Sequence, residues 1–92
     1  MITRKLIQQR PNISVDFYTP SVEVLNLLNQ YTDSAVTTVV SDDNLTQTIT
    51  VIMNQTDYDS LGANDILNNA KIDRENYCND NSITFNIVET NT

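Results

Sequence analysis

Between Ala35 and Asn54 the chain reads AVTTVVSDDNLTQTITVIMN, two β-rich runs on either side of an Asp42-Asp43-Asn44 turn. β-Branched side chains fit a pleated surface, and Asp and Asn fit tight turns, so this stretch predicts a β-hairpin and hence an antiparallel sheet. With Asp42 and Asp43 as the turn centre and Asn44 in the left-handed region that Asn tolerates, Val39 pairs with Gln47, Thr37 with Ile49 and Ala35 with Val51. One face then carries Ala35, Thr37, Val39, Leu45, Ile49, Val51 and Met53 and is expected in the core. The other carries Val36, Thr38, Val40, Thr46, Thr48, Thr50 and Ile52. It is neither charged nor strongly apolar, as suits a pleated surface at least half covered.

The remaining elements are placed around this hairpin. Residues 2–8, ITRKLIQ, alternate without a clearly apolar face and stop before Pro11, so residues 1–11 are expected to be an extended basic arm or an edge strand. Asn12 to Tyr18 alternates better, with Ile13, Val15 and Phe17 on one face, and is expected to be the first strand of the domain. Thr19 and Pro20 suit the cap and first position of a helix over about 20–32, whose apolar face is Val22, Val24, Leu25, Leu28 and Tyr31. Leu27 lies off that stripe. Thr32-Asp33-Ser34 reads as a loop. After the hairpin, Asn54 is a candidate cap with Asp57 in the first turn, Gly62 a stop, and Asn64 a second cap. Beyond Asn64, the residues Ile66, Leu67, Ala70, Arg74 and Tyr77 share one side of a helix. The pattern leaves open whether residues 55–79 form one broken helix or two. A last strand over Ser82–Glu89 turns Ile83, Phe85 and Ile87 inward, and residues 90–92 are expected to be a tail.

The 92 residues suit a single domain, here 12–89. No run of about 18 apolar residues suggests a membrane span, and MITRKLIQQRPNIS lacks the pattern of a signal peptide. A net charge of −7 argues against nucleic acid as a partner, because phosphate recognition needs clustered cations. Three of the five cations, Arg4, Lys5 and Arg10, fall in the first ten residues; beyond them Lys71 and Arg74 face twelve acids, a net of −10. Arg4 and Lys5 are therefore expected to reach an acidic neighbour. With no His and one Cys, zinc and redox-metal sites and Ser-His or Cys-His catalysis have no ligands or base. Asp57-Tyr58-Asp59-Ser60-Leu61-Gly62 echoes the start of a calcium loop, but position 12 would be Asn68, not a bidentate Glu. The pairs Asp42/Asp43, Asp57/Asp59 and Asp73/Glu75 sit in predicted turns or polar helix faces, where acidic chains carry such pairs by default. Cys78 lies among acids, which disfavours a thiolate. One glycine builds no phosphate cradle. Asn12-Ile-Ser, Asn44-Leu-Thr and Asn54-Gln-Thr match the glycosylation sequon, which an Asn- and Thr-rich chain does by chance. The sequence thus leans away from an enzyme, with no cofactor expected.

The order β-α-β-β-α-β after the arm predicts an α+β, ferredoxin-like domain: a four-stranded antiparallel sheet of order 4-1-3-2 with helices on one face. This order and open sheet face resemble the dimeric α/β-barrel proteins, in which two ferredoxin-like sheets pack face to face and some members are cofactor-free monooxygenases. The opening ITRKLIQQRPNISVDFYTPS and the segment SDDNLTQTITV resemble small uncharacterised proteins of T4-like marine phages, which implies a phage origin and a place in the host cytoplasm or the virion. The leading expectation is a non-enzymatic structural or interaction module. It would self-associate, first as a dimer, through Val36, Thr38, Val40, Thr46, Thr48, Thr50 and Ile52, with Arg4 and Lys5 reaching a neighbour. The alternatives are a small-molecule-binding or cofactor-free enzyme of the barrel type, which requires a partly polar pocket between helices and sheet, and an acidic inhibitor of a host protein.

Overall fold

The computed structural model describes residues 1–31 and 36–91. The elements run β1 (Ile2–Gln9), α1 (Val22–Tyr31), β2 (Thr37–Val40), β3 (Thr46–Met53), α2 (Gln55–Gly62), α3 (Asp65–Asp80) and β4 (Thr84–Asn91). The four strands form one antiparallel sheet in the order β2-β3-β1-β4. This is the expected α+β, ferredoxin-like arrangement, with the second helical segment divided into α2 and α3.

The strand at its centre is not the one expected. Residues 12–18 form no strand; Ile2–Gln9 does, paired on one side with β3 (Leu6 opposite Ile49) and on the other with β4 (Leu6 opposite Ile87). The first eleven residues are therefore no arm. Two polar residues on the core-facing side of β1 hid this. Ile2 and Leu6 are buried there, but Arg4 and Gln8 alternate with them. Gln8 has no exposed surface and is fully engaged. Its Nε2 donates to Tyr18 O (3.0 Å) and to Gln47 Oε1 (3.3 Å), and its Oε1 accepts the Tyr18 N–H (3.0 Å). A single side-chain amide thus does for Tyr18 what a strand neighbour would do. The 12–18 segment turns instead of extending, because the Asn12 side chain accepts the Ser14 N–H (2.9 Å) and Asn12 O accepts the Val15 N–H (3.3 Å). Ile13 is left 68% exposed. Arg10 holds the turn against the sheet by donating to Val15 O (3.0 Å) and Asn44 O (2.7 Å), with its guanidinium 4.2 Å from the centre of the Phe17 ring.

The hairpin forms with Asn44 left-handed (φ 61°), as expected, but one residue out of the expected register. Val40 pairs with Gln47, Val39 with Thr48, Thr38 with Ile49 and Thr37 with Thr50. The cause is Leu45. Its carbonyl accepts the Arg10 N–H (2.9 Å), which commits it to β1, so Ser41 closes the hairpin on Thr46 instead (2.9 Å). Ser41 Oγ and the Asp43 carboxylate, which accepts the Leu45 N–H (3.0 Å), brace the longer loop. Because side chains alternate, a slip of one residue exchanges the two faces of β2. Val36, Thr38 and Val40 lie on the helix side, and Thr37 and Val39 face outward. Ala35, expected in the core, and the loop over 32–34 lie outside the described residues.

On β3 the expected faces hold. Val51 and Met53 are buried and pack with Leu61 of α2; Leu27, Leu28, Tyr31, Val36, Tyr58 and Leu67 close around them. Each such buried apolar side chain contributes about 1.5–3 kcal/mol relative to an exposed one. All three helices therefore cover the same face of the sheet. α1 is capped by Ser21 rather than Thr19: Ser21 Oγ accepts the Val24 N–H (3.3 Å). Its inward residues are Val24, Leu27, Leu28 and Tyr31, an i, i+3, i+4, i+7 set that includes Leu27 and leaves Val22 73% exposed. Asn54 caps α2 through the Asp57 N–H (2.9 Å) and Asn64 caps α3 through the Ile66 N–H (2.9 Å), both as expected. Arg74 and Cys78 are the buried residues of α3, whereas Ile66 is 38% exposed. β4 continues to Asn91, past the expected end of the strand, with Phe85 and Ile87 inward.

Candidate functional site

Two surfaces stand out, one on each side of the sheet. The side without helices carries fourteen strand positions. Seven are threonine, and Ile7, Val39, Ile52 and Val88 supply the apolar groups. Of the expected interface residues, Thr46, Thr48, Thr50, Ile52 and Lys5 are here, joined by Thr37 and Val39 after the register change. Val36, Thr38, Val40 and Arg4 are on the opposite side. Among the described residues Lys5 is the only charged one at these strand positions, and no acid occupies any of them. Val39 is 66% and Val88 40% exposed. Three eight-residue strands and the four-residue β2, rising about 3.4 Å per residue and spaced about 4.8 Å apart, give a footprint of about 450 Å². Stacking two such faces would bury about 900 Å² in total, close to the lower limit of about 1,000 Å² for a specific interface.

The helix side is incompletely filled. Two adjoining spaces, of about 130 and 90 Å³, lie between α1, α3 and the sheet and share Arg4, Leu28, Val51, Leu67 and Lys71 in their walls. Tyr58 and Glu89 border the first, and Tyr18 and Arg74 the second. Arg4 enters from the central strand because it occupies a core-facing position of β1, opposite Val51 and Glu89. Its Nε lies 3.2 Å from Glu89 Oε1, and Glu89 Oε2 accepts the Tyr58 hydroxyl (2.5 Å). That hydrogen bond to a carboxylate raises the Tyr58 pKa above its ordinary value. Arg74 reaches the second space from the inward side of α3 and is 7% exposed. Its guanidinium lies 5.0 Å from the centre of the Phe85 ring and makes no hydrogen bond or ion pair with any described residue, and its Nε is wholly shielded. Burial, and then the like charge of Arg4, lowers its pKa, although an arginine remains charged. Tyr18, whose hydroxyl faces Ala70 O at 3.5 Å, has its pKa raised by burial and then by Asp73.

The cavity is the feature that the sequence pattern did not disclose. The signal was present in the helical spacing of Leu67, Ala70 and Arg74, which places an arginine on the core side of α3. Arg4 was hidden by the reading of β1 as an arm. Elsewhere the chemistry is sparse. The Asp57–Gly62 echo of a calcium loop is helix α2, with the Asp57 carboxylate accepting from Asn54 Nδ2 (3.1 Å). Asp43 is held by the hairpin loop. The Cys78 thiol is fully buried, and burial pushes its pKa up, which suits a packing residue rather than a nucleophile. Among the described residues no group of three metal-ligating side chains occurs, and no helix is long and apolar enough to cross a membrane. No protein-family model, curated protein or solved structure matches the chain.

Proposed function

We propose that this chain is a non-enzymatic interaction module, of phage origin, that self-associates by stacking the helix-free face of its sheet on the same face of a second copy. The observation that carries this reading is the charge pattern. A chain with a net charge of −7 keeps every described acid off one whole face of its sheet and lines that face with Thr, Val and Ile. Like-charge repulsion opposes association everywhere else on the surface, and a two-fold contact of identical sheet faces is self-complementary. The site is Thr46, Thr48, Thr50 and Ile52 of β3 with Thr37 and Val39 of β2 and Lys5 of β1, rather than Val36, Thr38 and Val40. Light scattering coupled to size exclusion tests it. The wild type is expected to be a dimer at tens of micromolar. Thr48→Lys, which sets new positive charges in the stacked face, is expected to be a folded monomer. A wild type that is monomeric at that concentration rules the stacking out.

The unfilled space between helices and sheet favours a second reading, a small-molecule-binding protein. It uses the opposite side of the sheet, so the two readings stand or fall separately.

A further inference from the structure

We propose that the cavity between the helices and the sheet binds a small organic carboxylate, whose anionic end is received by Arg74 and Arg4 and whose apolar body lies against Leu28, Val51 and Leu67. The starting point is an imbalance. A guanidinium that gives up water normally gains a carboxylate or several carbonyl acceptors in exchange. Arg74 is more than nine-tenths buried and has none among the described residues; its Nε is wholly shielded, and the residue lines an open space. The groups that could relieve it do not. The Cys78 thiol and the Tyr18 hydroxyl stay neutral at physiological pH, Glu75 favours the Arg74 charge but is exposed and forms no ion pair with it, and Glu89, the one acid bordering the cavity, already serves Arg4 and Tyr58. The cavity therefore carries Arg4, Lys71 and Arg74 against a single engaged carboxylate, in a protein that is acidic overall.

The ligand class is set by the walls. Planar guanidinium groups match carboxylates in bidentate geometry. The rest of the lining is largely hydrocarbon from Leu28, Val51, Met53, Leu61 and Leu67, which gives inorganic phosphate no apolar body to bury and offers one an apolar seat. An apolar cavity of about 150 Å³ takes a benzene ring in another protein. Spaces of about 130 and 90 Å³ side by side are thus of a size for a ring or a short branched chain ending in a carboxylate.

Benzoate is a suitable probe, with benzamide as its neutral counterpart and inorganic phosphate as an anion without an apolar body. In a titration of the ¹⁵N-labelled full chain at constant ionic strength, benzoate is expected to shift the Arg74 Nε–Hε resonance saturably, and benzamide and phosphate to bind at least tenfold more weakly. Arg74→Met removes the charge and keeps the length; it is expected to weaken benzoate at least tenfold without loss of the helical circular dichroism. If that variant does not fold, the comparison of benzoate with benzamide on the wild type decides alone. A benzoate shift that does not saturate, that benzamide matches or that survives Arg74→Met overturns the proposal. Phosphate binding as tightly as benzoate overturns the carboxylate assignment.

Discussion

Replacing Gln8 by leucine should be among the most damaging single changes in this protein, although the substitution puts an apolar residue into a position with no exposed surface. The side chain of Gln8 makes three hydrogen bonds, two of them to the backbone N–H and C=O of Tyr18. Leucine removes all three. The Gln47 amide is half-buried and can turn to water, but the two Tyr18 groups lose their partners in a partly buried place, at about 1–3 kcal/mol each. Burial of the leucine returns about 1 kcal/mol. The net loss should be about 1–5 kcal/mol, centred near 3, set against a total stability of about 5–14 kcal/mol for a chain of this length. Urea denaturation followed by circular dichroism should show a lower midpoint with an unchanged slope, and the melting temperature should fall by roughly 10–25 °C. Gln8→Glu refines the test. Its carboxylate still accepts the Tyr18 N–H but faces the Tyr18 carbonyl without a proton to offer. Its deficit relative to wild type should shrink between pH 7 and pH 4, as the buried acid takes up a proton and becomes a donor. A loss below about 1 kcal/mol for Gln8→Leu would refute the claim that this amide holds the 12–18 segment in place.

Asn64→Ala should cost about 1 kcal/mol, because the Asn64 side chain serves both the Ile66 and Leu67 N–H groups at the start of α3; the loss should be read from the same urea transition. Cys78 should react with a thiol reagent at least about a thousandfold more slowly in native buffer than in denaturant, since the fully buried thiol is reached only through opening of the fold. Asp43 should titrate below the ordinary aspartate range in an NMR pH series, because the Ser41 hydroxyl and then the Leu45 N–H bond its charged form. With its folded pKa depressed, its contribution to stability is present above the unfolded value near 3.8 and is lost as pH falls through the folded one. An Asp43→Asn chain should lack that component of the acid dependence.

The elements that rest on local chemistry were legible in the sequence. The hairpin, the Asn54 and Asn64 caps and the inward set of β4 each arise from side chains that act on their own backbone or from a plain alternation. What escaped depends on partners distant in sequence. β1 could not be recognised as central because Arg4 and Gln8 look like solvent-facing residues until Glu89, Tyr18 and Gln47 are set beside them. The strand pattern of 12–18 was real as alternation but was outcompeted by the Asn12 side chain. The register of β2 turned on whether Leu45 belongs to the hairpin or to β1, which the local turn chemistry does not encode. The outward facing of Thr46, Thr48, Thr50 and Ile52 on β3 was legible, whereas the two faces of β2 were exchanged. The cavity was foreshadowed only by the place of Arg74 on the inward stripe of α3.

The central position of β1 also sets the timing of folding. Ile2 pairs with Met53 and with Asn91, so the first strand of the chain meets partners about fifty and ninety residues away. The hairpin can form early from its own loop, whereas β4 has no ladder partner in the sheet but β1, the strand farthest from it in sequence. Closing loops of that length precedes the contacts that reward it, which makes the last step slow for so small a domain. Until β1 is in place, β3 shows an unpaired edge that the β1 of another molecule fits equally well. Refolding from denaturant is therefore expected to exchange this strand between chains at high concentration and to proceed cleanly when dilute.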